Sequence, residues 1–295
     1  GEGEGAFFPP MSKETHGWWL EDVDNYTEED PYASNTLVCW YADDELKKVR
    51  MCEFLRGIRL FMSVDTSYTA TSDSDFKVAC VMGINSENEL FVIDIWSAQC
   101  REDELIKQSM ALADKWKVPT VHIEAIKQGL GIYTTMDSLV RTRAKDMMGT
   151  EHIPGIKKLN PGMIDKSAKI ASLSLRFEHK KIKIPLWKAT SPFRRLIDQI
   201  EQFNPDARDG GLQHDDELDC VCMSQFIIKG RLKNMGRIEL PNKTNLERLK
   251  EGEVWDDESG TYLAHGLNFN QLSAQDIMSI LDKDIENDTD KPTRI

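Results

Sequence analysis

Apolar and polar positions follow two different periods along this chain. Residues 58–65 (IRLFMSVD), 76–84 (FKVACVMGI) and 89–96 (ELFVIDIW) are short, nearly continuous apolar runs bounded by polar stretches. Such runs predict buried strands. A polar turn (Asn85, Ser86, Glu87, Asn88) joins the second run to the third, so the three predict an antiparallel meander. The period then changes. In 101–116, Leu105, Ile106, Met110, Leu112, Ala113 and Trp116 recur at near-helical spacing behind an acidic first turn. Residues 119–124 (PTVHIE) predict a fourth strand, with Pro119 at its start, and 128–147 a second helix. Beyond them the pattern predicts a short strand at 155–159, a helix at 164–175, a strand or hairpin partner at 182–186 and a helix at 190–202. A last helix is predicted at 215–229, with Leu218, Val221, Cys222, Gln225 and Phe226 on one stripe.

The flanks read differently. Residues 1–50 mix Phe7, Phe8, Trp18, Trp19, Trp40 and Tyr41 with acidic runs and show no clear period. They predict an extension that packs through its aromatics, with a short helix over 44–56. After about residue 230 the apolar pattern thins, which predicts a partly disordered tail. The expected division is 1–57 as a connecting, acidic and aromatic extension, 58–230 as the folded domain and 231–295 as an acidic tail. The order βββ-α-β-α-(β)-α…α predicts an α/β fold. Three antiparallel strands lead, parallel strands follow, helices flank the sheet, and the fourth strand lies beside the first and parallel to it.

Charge changes this picture only when divided by region. The 295 residues carry a net −13, which at first argues against a polyanionic partner. Residues 1–50 hold −8 and 231–295 hold −4, leaving −1 for the middle, and within that middle 141–195 carries +10. Clustered Lys and Arg is the usual footprint of a phosphate-backbone contact. No apolar run reaches the ~18 residues a membrane span needs. None of the six cysteines forms a C-x-x-C pair, so a zinc ribbon is not expected, and reduced core thiols are.

Three acidic positions draw attention by where they fall. Asp65 closes the first strand and Glu124 the fourth; if those strands are parallel neighbours, both carboxylates emerge at one sheet edge. The third is the run His214-Asp215-Asp216-Glu217-Leu218-Asp219 at a helix start, where Asp216 and Asp219 share a face. Each has an ordinary alternative, as a strand-end residue or as a helix cap. Together they make a hard-oxygen donor set of the kind that holds Mg²⁺ or Mn²⁺, and two such ions can clamp an in-line phosphoryl displacement.

At this point the residues resemble a family. The ordered set Asp65 in MSVDTSYTATSDSDF, Glu124 in VHIEAIKQG and HDDELD at 214–219 is similar to the RNase H-like nuclease domain of tailed-phage large terminases. DKSAKI at 165–170 looks like that family's K-x-x-R-I segment, and the resemblance spans roughly 58–229. Lys169 stands where arginine is common, which loses a bidentate phosphate fork, and Cys220 replaces the usual alanine. No G-x-x-x-x-G-K-S/T occurs, so the chain is expected to be the nuclease fragment without the ATP-driven domain that precedes it in the family.

The resemblance implies an endonuclease that cuts concatemeric double-stranded DNA in the host cytoplasm with two divalent cations. Portal protein and small terminase subunit would be its partners, and the isolated fragment would be monomeric. Asp65 would bridge both metals. Glu124 and Asp216 would each hold one, with Asp219 or Asp215 completing the set. His214 would orient the water or the phosphate, or simply cap the helix, while His122 is expected to be structural. Lys166, Lys169, Arg176, Lys180, Lys181 and Lys183 would grip the backbone without reading bases. Two rivals remain open on the residues: a RuvC-type junction resolvase or transposase-like nuclease, told apart by preference for four-way junctions, and a non-catalytic docking domain, told apart by lack of metal dependence.

Overall fold

Strand β4 (Arg59–Asp65) is buried from Leu60 onward, and β5 (Lys77–Ile84) is buried from Val78 onward. Burial on both faces explains why their sequences read as continuous apolar runs and not as alternation. The computed structural model describes residues 7–23, 26, 29–66, 76–124, 129–146, 152–160, 166–204, 215–232, 253–256 and 261–264. It divides into two units, Gly1–Pro161 with Asp165–Phe226, and Gly162–Ile164 with Ile227–Ile295.

The first unit is built on a nine-stranded sheet. Strands β4, β5 and β6 (Leu90–Ala98) form the expected antiparallel meander. Helix α2 (Glu102–Lys115) carries Glu102, Asp103 and Glu104 in its first turn, where the helix dipole favours acids. It returns the chain to β7 (Thr120–Glu124), which lies beside β4 and parallel to it, Val64 opposite Ile123. Helix α3 (Gly129–Asp146) crosses to β8 (Gly155–Leu159), which is parallel to β7 and forms one edge of the sheet. The fold is the mixed α/β sheet expected, RNase H-like in its order of three antiparallel and then parallel strands flanked by helices.

The amino-terminal region departs from expectation. Its aromatics do pack, but it is built of strands: β1 (Gly17–Leu20), β2 (Leu37–Ala42) and β3 (Glu45–Arg50). The helix expected over 44–56 is confined to α1 (Met51–Gly57), and Glu45–Arg50 pairs with β2 instead. The turn between β2 and β3 places Asp43 and Asp44 at positive φ (48° and 64°), the conformation of a two-residue hairpin turn. The helix expected at 164–175 is also broken, into α4 (Lys166–Ala171) and α5 (Ser174–Glu178).

Strand β9 (Ile182–Pro185) joins the two halves, lying parallel to β6 on one side and to β1 on the other. The order is therefore β3-β2-β1-β9-β6-β5-β4-β7-β8. Trp18 and Trp40 share one aromatic cluster with Phe54 and Phe91, and the Trp18 indole donates to the Val92 carbonyl at 2.9 Å. The amino-terminal strands thus share the core of the central ones. Helices α6 (Ser191–Gln202) and α7 (Asp216–Leu232) complete the described helices. In the second unit, β10 (Glu253–Asp256) and β11 (Thr261–Ala264) form an antiparallel pair.

Candidate active site

The parallel register of β4 and β7 aligns Met62 with Val121, Ser63 with His122 and Val64 with Ile123. One step further, Asp65 and Glu124 end their strands side by side, about 4.8 Å apart at the backbone. Alternation assigns the faces. Val64 and Ile123 enter the core shared with α2, while Ser63, Asp65, His122 and Glu124 face the other side. His122 is buried there.

Helix α7 packs on that second face. Ser63 Oγ donates to the Cys220 carbonyl at 2.9 Å, and Cys220 Sγ lies 3.2 Å from Ser63 Oγ. Position 220 is therefore a point of close approach between helix and sheet. Burial pushes the Cys220 thiol well up from its ordinary pKa, so it is an inert packing group. This contact delivers the first turn of α7 to the end of β4. Asp216 Oδ2 accepts from the Phe76 backbone N–H at 3.1 Å, just before β5. Asp219 reaches Lys169 of α4, with Lys169 Nζ 3.2 Å from Oδ1. The Asp215 carbonyl accepts from Asp219 N–H at 2.8 Å, the first helical bond, so Asp215 occupies the cap position. Asp65, Asp215, Asp216 and Asp219 are all buried.

Lys169 is set among these acids. Its ammonium is 3.8 Å from Glu124 Oε1 as well as 3.2 Å from Asp219. Burial opposes the charge, but the carboxylates of Asp219, Glu124 and Asp65 outweigh it and hold the pKa above that of an ordinary lysine. The structure therefore sets Lys169, expected as a backbone grip, as a counter-charge to the carboxylates. Among the described residues no group of three or more His, Cys, Asp or Glu side chains encloses a metal-sized position. The donor chemistry is nonetheless that of hard divalent cations: Asp65 and half-buried Glu124 stand at adjacent strand ends, and buried Asp216 and Asp219 lie in the first turn of the helix packed on that face.

Glu217 was missed by sequence reasoning. It is fully buried and points away from the acids, accepting from Ser97 Oγ, Arg195 Nε and Gln199 Nε2, each at 2.7 Å. Gln199 also accepts from the Leu218 N–H at 2.9 Å, and the Arg195 guanidinium lies 4.2 Å from the Phe76 ring. This clamp to α6 and β6 fixes the rotation of α7, and with it the direction of Asp216 and Asp219. Gly129 is a second such residue. A Cβ there would lie 1.9 Å from the Glu124 carbonyl, so only glycine lets α3 start this close to the end of β7.

Of the expected DNA-gripping residues, Arg176, Lys180, Lys181 and Lys183 are not at the carboxylates. Strand β9 pairs with the start of β6, Ile182 opposite Leu90, so Lys180 and Lys181 lie at the far end of the sheet. There Lys180 pairs with Asp44 at 2.8 Å and Lys181 with Asp43 at 3.6 Å. Arg176 donates to the carbonyl and Oδ1 of Asn88, in the turn between β5 and β6. Lys183 is buried, donating to the Thr15 and Tyr41 carbonyls at 2.9 and 2.6 Å, and burial pushes its pKa down to about 8. A lysine so enclosed cannot hold a phosphate, and that expectation is corrected. His214 and the Lys166 side chain lie outside the described residues.

No protein-family model and no curated protein matches the chain. Among solved structures it is similar to the human cytomegalovirus terminase nuclease domain, soaked with Mn and inhibitor-bound: 12% identity over 60% of this chain and 86% of that one, TM-score 0.42. It is also similar to the large terminase nuclease of thermophilic phage G20c, at 14% identity, 58% and 84% coverage and TM-score 0.40. A third similarity is to the yeast mitochondrial Holliday junction resolvase, at 10% identity, 63% and 91% coverage and TM-score 0.36. No described helix is long and apolar enough to cross a membrane.

Proposed function

We propose that the chain is the nuclease part of a genome-packaging terminase, an endonuclease that hydrolyses phosphodiester bonds of concatemeric double-stranded DNA. One observation carries this reading. The β4–β7 register sets Asp65 beside Glu124, and the Ser63–Cys220 contact brings the Asp216–Asp219 turn to the same point. This arrangement of acids at two adjacent strand ends and in one helical turn supports the reading.

In this reading Asp65, Glu124 and Asp216 would hold the divalent cations, with Asp219 or Asp215 completing the donor set. Bound Mg²⁺ or Mn²⁺ would supply a water of lowered pKa and neutralise charge on the scissile phosphate. The chain itself supplies the rest. Low exposure of the carboxylates excludes bulk water and strengthens their field. The Glu217 clamp holds α7 in one rotation, and Lys169 offsets part of the negative charge. Portal protein and a small terminase subunit are the partners this function calls for. A plasmid-nicking assay with Mn²⁺ tests the proposal. Wild type should nick and Asp65→Ala should not; absence of cleavage by wild type, or equal cleavage by both, would sink it. Faster cutting of a four-way junction than of linear duplex would reassign the protein to the resolvases.

A further inference from the structure

A phosphodiester approaching buried carboxylates needs positive charge beside them. Lys180, Lys181 and Arg176 do not provide it. β6 spans nine residues, about 26 Å at 3.3 Å per residue, and separates their end of the sheet from Asp65. Asp44, Asp43 and Asn88 also occupy those side chains.

The outer strand β8 lies at the right end. Its register with β7 sets Leu159 opposite Glu124 and Lys158 opposite Ile123. Lys157 and Lys158 are both exposed. Being consecutive, they project to opposite faces, so this edge offers one ammonium above the sheet and one below. The Lys158 ammonium lies 4.8 Å from the Tyr133 ring centroid, which steadies that side chain against α3. Among the described residues β8 ends the strand order, so its outward edge faces no further described strand. Lysines commonly protect sheet edges from strand pairing. These two stand apart because they lie one and two residues from the position opposite Glu124, about 3–7 Å along the strand, within one or two nucleotide steps.

We propose that the β8 edge is the rail for the DNA backbone, with Lys157, on the face of Glu124, holding a phosphate next to the one that is cut and Lys158 adding positive charge from the other side of the edge. The assignment rests on the nuclease reading and names the surface through which that site takes its substrate. The rail reads charge and spacing only, so binding is independent of sequence.

The test uses the full chain and a fluorescent linear duplex, with anisotropy measured in Ca²⁺ across a salt series. Wild type is compared with Lys157→Gln/Lys158→Gln, which keeps the aliphatic stems, and with Lys180→Gln/Lys181→Gln at the far end. The β8 pair should weaken binding about 10-fold or more and flatten the salt slope by about 1–2, with an unchanged melting curve. The far-end pair should bind as wild type. A β8 variant with the wild-type slope, or a far-end variant that loses as much, would overturn the rail. If wild type binds and nicks while the β8 slope is unchanged, the rail alone fails. If the β8 variant loses its slope but wild type never nicks in Mn²⁺, the nuclease reading fails while the rail stands. Wild type that does not bind duplex overturns both.

Discussion

The two ends of the sheet use charge in opposite ways. At the end where β4 and β7 stop, Asp65, Asp216 and Asp219 are all buried, with the single ammonium of Lys169 against Asp219 and Glu124. At the end where β6 and β9 begin, acids and bases are matched one to one across exposed turns: Lys180 with Asp44, Lys181 with Asp43. Exposed matched pairs contribute little to stability, whereas gathered like charges are costly unless a cation joins them. The excess of buried acids over bases at one end, with balanced turns at the other, is the contrast that the proposed nuclease function would explain.

The largest expected difference between the ends is in activity. Asp65→Ala should reduce Mn²⁺-dependent nicking by at least about 10²-fold with an unchanged circular dichroism spectrum, a loss no far-end substitution should approach. Next comes the clamp on α7. Glu217→Ala leaves buried Gln199 and half-buried Arg195 without their acceptor. It should cost about 2–4 kcal/mol by denaturant unfolding and raise the Mn²⁺ concentration needed for half-maximal nicking. A purely structural Glu217 would move the first reading and not the second.

A smaller effect is expected from pH at His16, next to β1. Its Nε2 bonds the Phe177 carbonyl at 2.7 Å, and burial lowers its pKa from the ordinary histidine value despite that bond. The folded state therefore binds this proton less readily than the unfolded chain. The stability involved is present above pH ~6.5 and is lost as pH falls below it. Thermal melts from pH 7.5 down to 5.5 should show a steeper decline for wild type than for His16→Gln; parallel declines would contradict this. Smallest of all, Lys180→Ala with Lys181→Ala should leave both the melting temperature and nicking at wild-type values.

The site end was legible in sequence because its signal is local: a carboxylate where an apolar run stops, twice, and two acids three apart at a helix start. The meander and the β4–β7 pairing followed from short turns and a single crossover. The far end was not legible, because the positions of Lys180, Lys181 and Lys183 depend on which strand β9 joins, and nothing in IKIP names β6 or β1 as neighbours. The helix expected over 44–56 failed for a related reason. Asp43-Asp44 form a tight turn without glycine, and the partner that makes ELKKVR a strand lies behind that turn. Glu217 stayed hidden because its role depends on Ser97, Arg195 and Gln199, each from another element.

The position of β9 bears on how the chain comes to be folded. Gly17 pairs with Ile184, so the amino-terminal strands cannot join the central sheet until β9 has been synthesised and lies between them. The local β2–β3 hairpin can form early, but until β9 arrives both β1 and β6 present open edges. A ribosome-bound or truncated chain ending before residue 182 would carry two unjoined sheets ready to pair with other chains. One four-residue strand thus makes the late part of the chain the keystone of its earliest part.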